Sequence, residues 1–162
     1  MNENPYSPPS APLGDRGPQR TGATWKAVLF GVTTDLVGTT LAGVVLLVVF
    51  SSRLVTQGQA PEEIGQLLLQ SNEYLFVSLA VGLAFTGLGG YVAARVANHR
   101  EYLHALIVGV IVLVIGEIMI SSDPTGMPLS IRIIGDLLVV PAALLGGHLW
   151  TVSKQRAQIQ AP

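Results

Sequence analysis

Residues 102–122 read YLHALIVGVIVLVIGEIMISS, a stretch whose only Asp, Glu, Lys or Arg is Glu117. An apolar run of this length matches the about 20 residues that a helix needs to cross a bilayer core. Three further runs, at residues 27–50, 74–94 and 128–152, are at least as long. The sequence therefore contains four candidate membrane spans.

The composition agrees with a membrane protein. Hydrophobic residues make up 49% of the 162 residues and charged residues 12%, against about 25% charged in an ordinary soluble domain. A chain in lipid must satisfy its own backbone hydrogen bonds, so runs this long are helices. The connection 98–101 is short enough to make spans two and three an antiparallel hairpin. The predicted fold class is all-α, a four-transmembrane-helix antiparallel bundle with a disordered N-terminal tail.

The chain divides into three parts on this interpretation. Residues 1–23 form a Pro-rich tail with almost no aliphatic residues and are expected to be disordered. Residues 24–153 form the transmembrane domain, and residues 154–162 form a second tail. The loop between spans one and two contains a short predicted surface helix at 61–71, where Pro61 suits the first helical position.

The distribution of Lys and Arg predicts the orientation, because basic residues near span ends stay in the cytoplasm. One side carries seven of them: Arg16, Arg20, Lys26, Arg95, Arg100, Lys154 and Arg156. The flanks of the other side carry only Arg53. We therefore expect both termini in the cytoplasm and a multi-pass protein of the cell inner membrane.

Composition and charge also exclude several kinds of site. There is no cysteine, so disulfides, thiolate metal sites and cysteine nucleophiles are excluded. The net charge of −1 gives no field that would recruit nucleic acid. His104 and His148 lie at similar depth and could ligate a haem iron, but an interfacial position beside Tyr102 and Trp150 is the preferred interpretation. No cofactor, metal or catalytic residue is predicted.

Span two carries a stripe of small residues spaced four apart. The members of this small-residue stripe are Ser78, Gly82, Thr86, Gly90 and Ala94. Such a stripe lets helix backbones approach closely in lipid. We predict that it packs the bundle, with dimerisation or the lining of a substrate pathway as the alternatives.

Two short segments resemble a known group of proteins. Residues 89–97, GGYVAARVA, have a Gly-Gly-Tyr-x-Ala-x-Arg pattern, and residues 4–9 read NPYSPP. Both are similar to segments of small bacterial four-span membrane proteins of unknown function. The resemblance implies a bacterial inner-membrane location and carries no activity or catalytic residue.

Four ionisable residues lie within the predicted spans: Asp35, Glu117, Arg132 and Asp136. At 1.5 Å per residue, Asp35 lies about 12 Å from the cytoplasmic end of its span, and Glu117 and Asp136 lie about 22 and 24 Å from theirs. Arg132 is one turn further out, on the same helix face as Asp136. Groups at such depth are costly unless paired or hydrated, so they form the candidate intramembrane charge cluster.

This cluster has two interpretations. Three acids against one base leave two negative charges if all ionise, so either acids are protonated or water and cations enter. Arg132 bridging Glu117 and Asp136 would tie span three to span four as a structural clamp. The alternative is a proton, cation or solute pathway.

We predict an integral membrane protein that is not an enzyme and acts through helix–helix contacts in the lipid bilayer. The competing hypothesis is a small proton, cation or solute transporter or channel subunit that uses the four charges. Four spans without an internal repeat are few for a monomeric carrier. A pathway is therefore expected to require a homo-oligomer or another membrane protein as partner.

Overall fold

The computed structural model describes residues 24–122 and 128–160, and its regular structure is helical throughout that part of the chain. Its helices are α1 (Thr24–Thr56), α2 (Ile64–Gln70), α3 (Asn72–Ala97), α4 (Glu101–Ser122) and α5 (Leu129–Gln160). All except α2 are long and apolar enough to cross a membrane. The predicted all-α, four-span helical bundle is confirmed. The predicted disordered tail, residues 1–23, lies outside the described residues.

The four spanning helices are longer than their apolar runs, α1 and α5 by the most. Helix α1 has 33 residues and α5 has 32, which is about 50 Å each against a hydrocarbon core of about 30 Å. Helix α5 continues through Pro141 and through Lys154, so most of the predicted second tail is helical. Hydropathy identifies only the apolar part of a helix. The backbone hydrogen bonds of α1 and α5 continue beyond that part, into polar sequence.

The connections follow from local backbone chemistry. The Ser71 hydroxyl accepts a hydrogen bond from the Tyr74 amide at 3.3 Å and so caps the start of α3. Asn98 ends α3 with a left-handed backbone, φ 52°, which Asn tolerates better than most residues. Asn98 and Arg100, whose φ is also positive at 47°, turn the chain tightly enough to make α3 and α4 an antiparallel hairpin.

Helix α3 is the centre of the bundle. It packs against α1, α4 and α5, whereas α1 contacts α4 but, within the described part of the chain, not α5. Helix α1 begins, the α3–α4 hairpin turns and α5 ends at one end of the bundle, which we call the terminal side. The opposite end, where α1 leads into α2, is the loop side.

The helices touch backbone to backbone from the middle of the bundle toward the terminal side. A Cβ atom added to Gly31 would lie 2.8 Å from the Gly89 carbonyl oxygen, so α1 and α3 cross here only because both residues are glycine. Helices α3 and α5 cross in the same way where Gly90 meets the Ala143 backbone. The loop-side half of the bundle is packed less tightly and contains a cavity.

Candidate functional site

A cavity of about 380 Å³ lies between the helices in the loop-side half of the bundle. Residues from all five helices line it, including Leu69 of α2. Most of the lining is aliphatic, and the polar lining consists of Asp35, Thr39, Tyr74, Ser78, Thr86, Arg132 and Asp136. Two of the predicted intramembrane acids and the predicted intramembrane base thus border one internal space.

Asp35 forms the floor of this cavity. Its residue surface is only 2% exposed, and its Oδ1 atom accepts a hydrogen bond from the Thr86 hydroxyl at 2.8 Å. That hydroxyl also lies 3.1 Å from the Gly82 carbonyl oxygen, so the Thr86 hydroxyl proton is shared between the Asp35 carboxyl group and this carbonyl. The crossing of α1 and α3 at Gly31 and Gly89 is next to Asp35 on its terminal side, because a Cβ added to Gly89 would be 3.1 Å from the Asp35 Cβ.

Two hydroxyl groups above the floor are buried without a partner. Neither Thr39 Oγ1 nor Ser78 Oγ forms a hydrogen bond with any described residue. Thr39 lies one helical turn from Asp35 on α1, and Ser78 lies two turns from Thr86 on α3. Asp35, Thr39 and Ser78 therefore line one side of the cavity at successive depths, with both hydroxyl oxygens buried.

The other three charges form a group at the loop-side end. Arg132 donates from Nε to Glu117 Oε1 at 3.2 Å and from Nη2 to Glu117 Oε2. The two side chains are 32% and 35% exposed, so the pair lies toward the bundle surface. Asp136 lies beside this pair, one helical turn from Arg132 on the same face of α5. This group joins α4 to α5, as a clamp would.

Asp35 does not belong to that group. Asp35 lies beside Gly89, and Asp136 lies seven residues before the Ala143 contact with Gly90. Because α3 and α5 run in the same direction, Asp136 is about 9 Å closer to the loop side than Asp35. The structure brings Glu117, Arg132 and Asp136 together and leaves Asp35 alone.

The small-residue stripe of α3 divides into two parts. Gly90 and Ala94 are buried against α5, where Gly90 meets Ala143 and Ala94 lies near Gly147. Ser78, Gly82 and Thr86 line the cavity instead. The packing interpretation therefore fits Gly90 and Ala94, whereas Ser78, Gly82 and Thr86 border a cavity.

Sequence reasoning missed the bond between Asp35 and Thr86. Both residues are candidates in the sequence, but α1 and α3 are apolar around their circumference, so periodicity does not say which faces meet. The available signal was the match between Gly31 on α1 and the Gly89-Gly90 pair on α3, which are the residues that allow close approach. The cavity that Ser78 shares with Thr39 could not be predicted from the sequence for the same reason.

The histidines lie at the terminal side, away from the cavity. The Tyr102 hydroxyl is 2.8 Å from His148 Nδ1. His104 is buried, and its Nδ1 atom is 3.1 Å from the Arg100 carbonyl oxygen. Each of these two histidines thus has its own partner rather than facing the other across a common site.

Comparisons with protein-family models, with curated proteins and with solved structures found no match to this chain.

Proposed function

We propose that the protein admits water and a small solute into the cavity above Asp35, as a small transporter or channel subunit does. The observation that carries this proposal is the combination of a buried acid and two partnerless hydroxyls around one internal space. A bundle that served only to present its outer surface would have no need of such a lining.

The energetic reason is the cost of a dry cavity. An unsatisfied buried hydroxyl costs about 1–3 kcal/mol, and an isolated carboxylate costs more. Thr39, Ser78 and Asp35 would all incur this cost if the space were empty. A cavity of about 380 Å³ has room for several water molecules or for a small organic solute. Small shifts of the side chains that line the cavity would let its water reach the two hydroxyls and remove this penalty.

The positions of the glycines favour the pathway hypothesis over the hypothesis of a module that acts through contacts with other membrane proteins. Gly31, Gly89 and Gly90 are committed to crossings inside this chain. They are therefore not free to pack against another membrane protein. A pathway also needs no second copy for its lining, because the four long helices of one chain supply it.

We further propose that the terminal side faces the cytoplasm and that the membrane is a bacterial inner membrane. The excess of Lys and Arg on that side supports the orientation. The resemblance of residues 89–97 supports the location. The cavity would then lie in the half of the bundle that faces away from the cytoplasm.

Thiol labelling tests the proposal, since the natural sequence has no cysteine. A Cβ added to Gly82 meets nothing within 4 Å, so Gly82→Cys places a thiol in the cavity without a clash. Val37→Cys is the control, because Val37 is 52% exposed on the outside of the bundle at similar depth. The neutral reagent methyl methanethiosulfonate reacts with the thiolate, which forms only where water reaches.

We expect Gly82→Cys to react at least about tenfold faster than Val37→Cys in liposomes, because the desolvated thiolate of the control is costly. Equal slow labelling of both variants would mean that the cavity is dry and would refute the proposal. Folding of each variant is checked by its elution as a single species in detergent.

A further inference from the structure

We propose that an anionic phospholipid binds to an apolar groove on the outer face of α3 and α5, with one acyl chain in the groove and its phosphate group on Arg95. This proposal does not depend on the cavity above Asp35. It follows from three properties of the groove: its position on the lipid-facing surface, its dimensions and the positive charge at its terminal-side end.

The groove has a volume of about 470 Å³ and is lined by α3 and α5 alone. The backbones of Gly87 and Gly146, which both line it, are in contact, because a Cβ added to Gly146 would overlap the Gly87 carbonyl group. Larger side chains stand on either side, and Leu88 and Leu145 among them are 49% and 64% exposed. The groove therefore opens on the outside of the bundle, where lipid lies.

The dimensions of the groove match one acyl chain. Its lining extends from Ala80 to Tyr91 on α3 and from Leu138 to Leu149 on α5, which is about 17 Å on each helix. One leaflet has a similar depth, since the hydrocarbon core is about 30 Å thick. The volume divided by this length gives a mean cross-section of about 28 Å², whereas a helix about 10 Å across occupies about 80 Å². A hydrocarbon chain fits into the groove, and a partner helix does not.

A positive charge lies at the terminal-side end of the groove. Arg95 is one turn beyond Tyr91 on α3, and its guanidinium carbon is 5.7 Å from the centre of the Trp150 ring. Trp150 follows Leu149 and packs edge-on against Tyr91, with ring centres 5.7 Å apart. Arg95 is exposed, and none of the ion pairs in the described part of the chain includes it. Because arginine stays protonated, this charge is both accessible and uncompensated.

The chemistry of this end favours an anionic phospholipid. Stacking on the indole face leaves the N–H groups at the edge of the guanidinium free, and arginine donates two parallel hydrogen bonds to phosphate oxygens. Lys154 of α5 is instead paired with Glu101 at 3.0 Å. A phosphatidylglycerol headgroup brings the negative charge that Arg95 lacks, whereas phosphatidylcholine carries its own ammonium group beside the phosphate.

The experiment titrates the full chain in detergent with phosphatidylglycerol or phosphatidylcholine of identical acyl chains. Mass spectrometry under non-denaturing conditions counts the bound lipids and the copies of the chain. We expect the first phosphatidylglycerol to bind about tenfold more tightly than the first phosphatidylcholine, because one charge-assisted contact distinguishes them.

Substitutions at Arg95 test the headgroup contact. Arg95→Gln should bring the two lipids to equal affinity, and Arg95→Lys should keep part of the preference because it keeps the charge. Arg100→Gln is the matched control, since it removes the same charge from the α3–α4 turn on the same side of the bundle. It should leave the preference unchanged.

A substitution inside the groove tests the acyl-chain contact. Ala84 is an exposed lining residue, so Ala84→Leu fills the groove without entering the bundle. We expect both lipids to bind about tenfold more weakly while phosphatidylglycerol stays preferred. Gly43→Leu is the control for added bulk, because a Cβ at Gly43 on α1 meets nothing within 4 Å. If Ala84→Leu fails to fold, Ala80→Leu at another exposed lining position takes its place.

Three results would overturn the proposal. Equal affinity of the unmodified protein for the two lipids, or a preference that survives Arg95→Gln, would show that Arg95 does not bind the headgroup. Unchanged binding in the groove-filling variant would place the acyl chain elsewhere. A protein that remains a dimer without bound lipid would show that a second copy covers the groove instead.

Discussion

At the scale of single residues, the intramembrane charges are held in two different ways. Two guanidinium nitrogens of Arg132 donate to the two carboxylate oxygens of Glu117, so each charge has an opposite partner. The Asp35 carboxyl group instead receives one bond from the neutral Thr86. The first arrangement joins α4 to α5 through opposite charges, whereas the second joins α1 to α3 through a single hydrogen bond from a neutral donor.

Removing one partner of the Arg132–Glu117 pair should destabilise the bundle. In Arg132→Ala, Glu117 and the adjacent Asp136 lose the nearby positive charge, so we expect a lower unfolding midpoint in detergent. The double variant Arg132→Ala/Glu117→Ala should recover part of the loss, because the orphaned carboxylate is gone. Arg53→Ala is the control, since it breaks an exposed pair with Glu73 that is worth little. An Arg132→Ala protein as stable as the control would show that the clamp does not hold α4 to α5.

The two partnerless hydroxyls distinguish a wet cavity from a dry one. If water bonds Ser78 and Thr39, then Ser78→Ala and Thr39→Val should leave the free energy of unfolding unchanged or slightly lower. In a dry cavity each change would remove an unsatisfied group and stabilise the protein by about 1–3 kcal/mol. Equilibrium unfolding in mixed detergent measures the difference, and stabilisation by both variants would contradict the hydrated cavity.

At the scale of helices, the sequence predicts which segments form helices better than it predicts which helix faces meet. The four spans could be predicted because apolar length alone requires them in lipid, and the clustering of Glu117 with Asp136 could be anticipated from their equal depth. The ends of α1 and α5 could not, because these helices continue into polar sequence. The meeting of Asp35 with Thr86 could not either, since it depends on helix rotation about axes whose faces are uniformly apolar.

The two parts of the small-residue stripe on α3 should respond differently in stability when a glycine is replaced by alanine. A Cβ at position 90 would overlap the Ala143 backbone, so Gly90→Ala should force α3 and α5 apart and destabilise the protein by about 1–3 kcal/mol. Gly82→Ala projects into open space and should be neutral or stabilising by up to about 1 kcal/mol through helix propensity. Unfolding of the two variants side by side measures this contrast. Comparable stability of both would show that the α3–α5 crossing adapts to a larger residue.

At the scale of the whole molecule, the bundle has a closed half and an open half. Glycine-mediated backbone contacts close the terminal side, and the cavity with its acidic floor lies toward the loop side. On the proposed function, a solute would enter from the loop side and meet Asp35 at the point where the helices close. Passage beyond Asp35 would require the α1–α3 crossing at Gly31 and Gly89 to separate.

The orientation of this asymmetry can be checked with single cysteines at exposed positions. Gln59 lies in the loop between α1 and α2, and Gln155 lies near the end of α5. In intact cells we expect a membrane-impermeant thiol reagent to label Gln59→Cys and to leave Gln155→Cys unlabelled until the cells are opened. The reverse pattern would place the termini outside and contradict the orientation that the basic residues predict.

The decisive quantity is the rate at which the thiol of Gly82→Cys reacts with methyl methanethiosulfonate in liposomes, divided by the rate for Val37→Cys. A ratio of about ten or more would show that water reaches the interior of the bundle beside Asp35 while the lipid-facing surface at similar depth stays dry. A ratio near one, with both thiols slow, would show a sealed bundle and leave Asp35 with a structural role only.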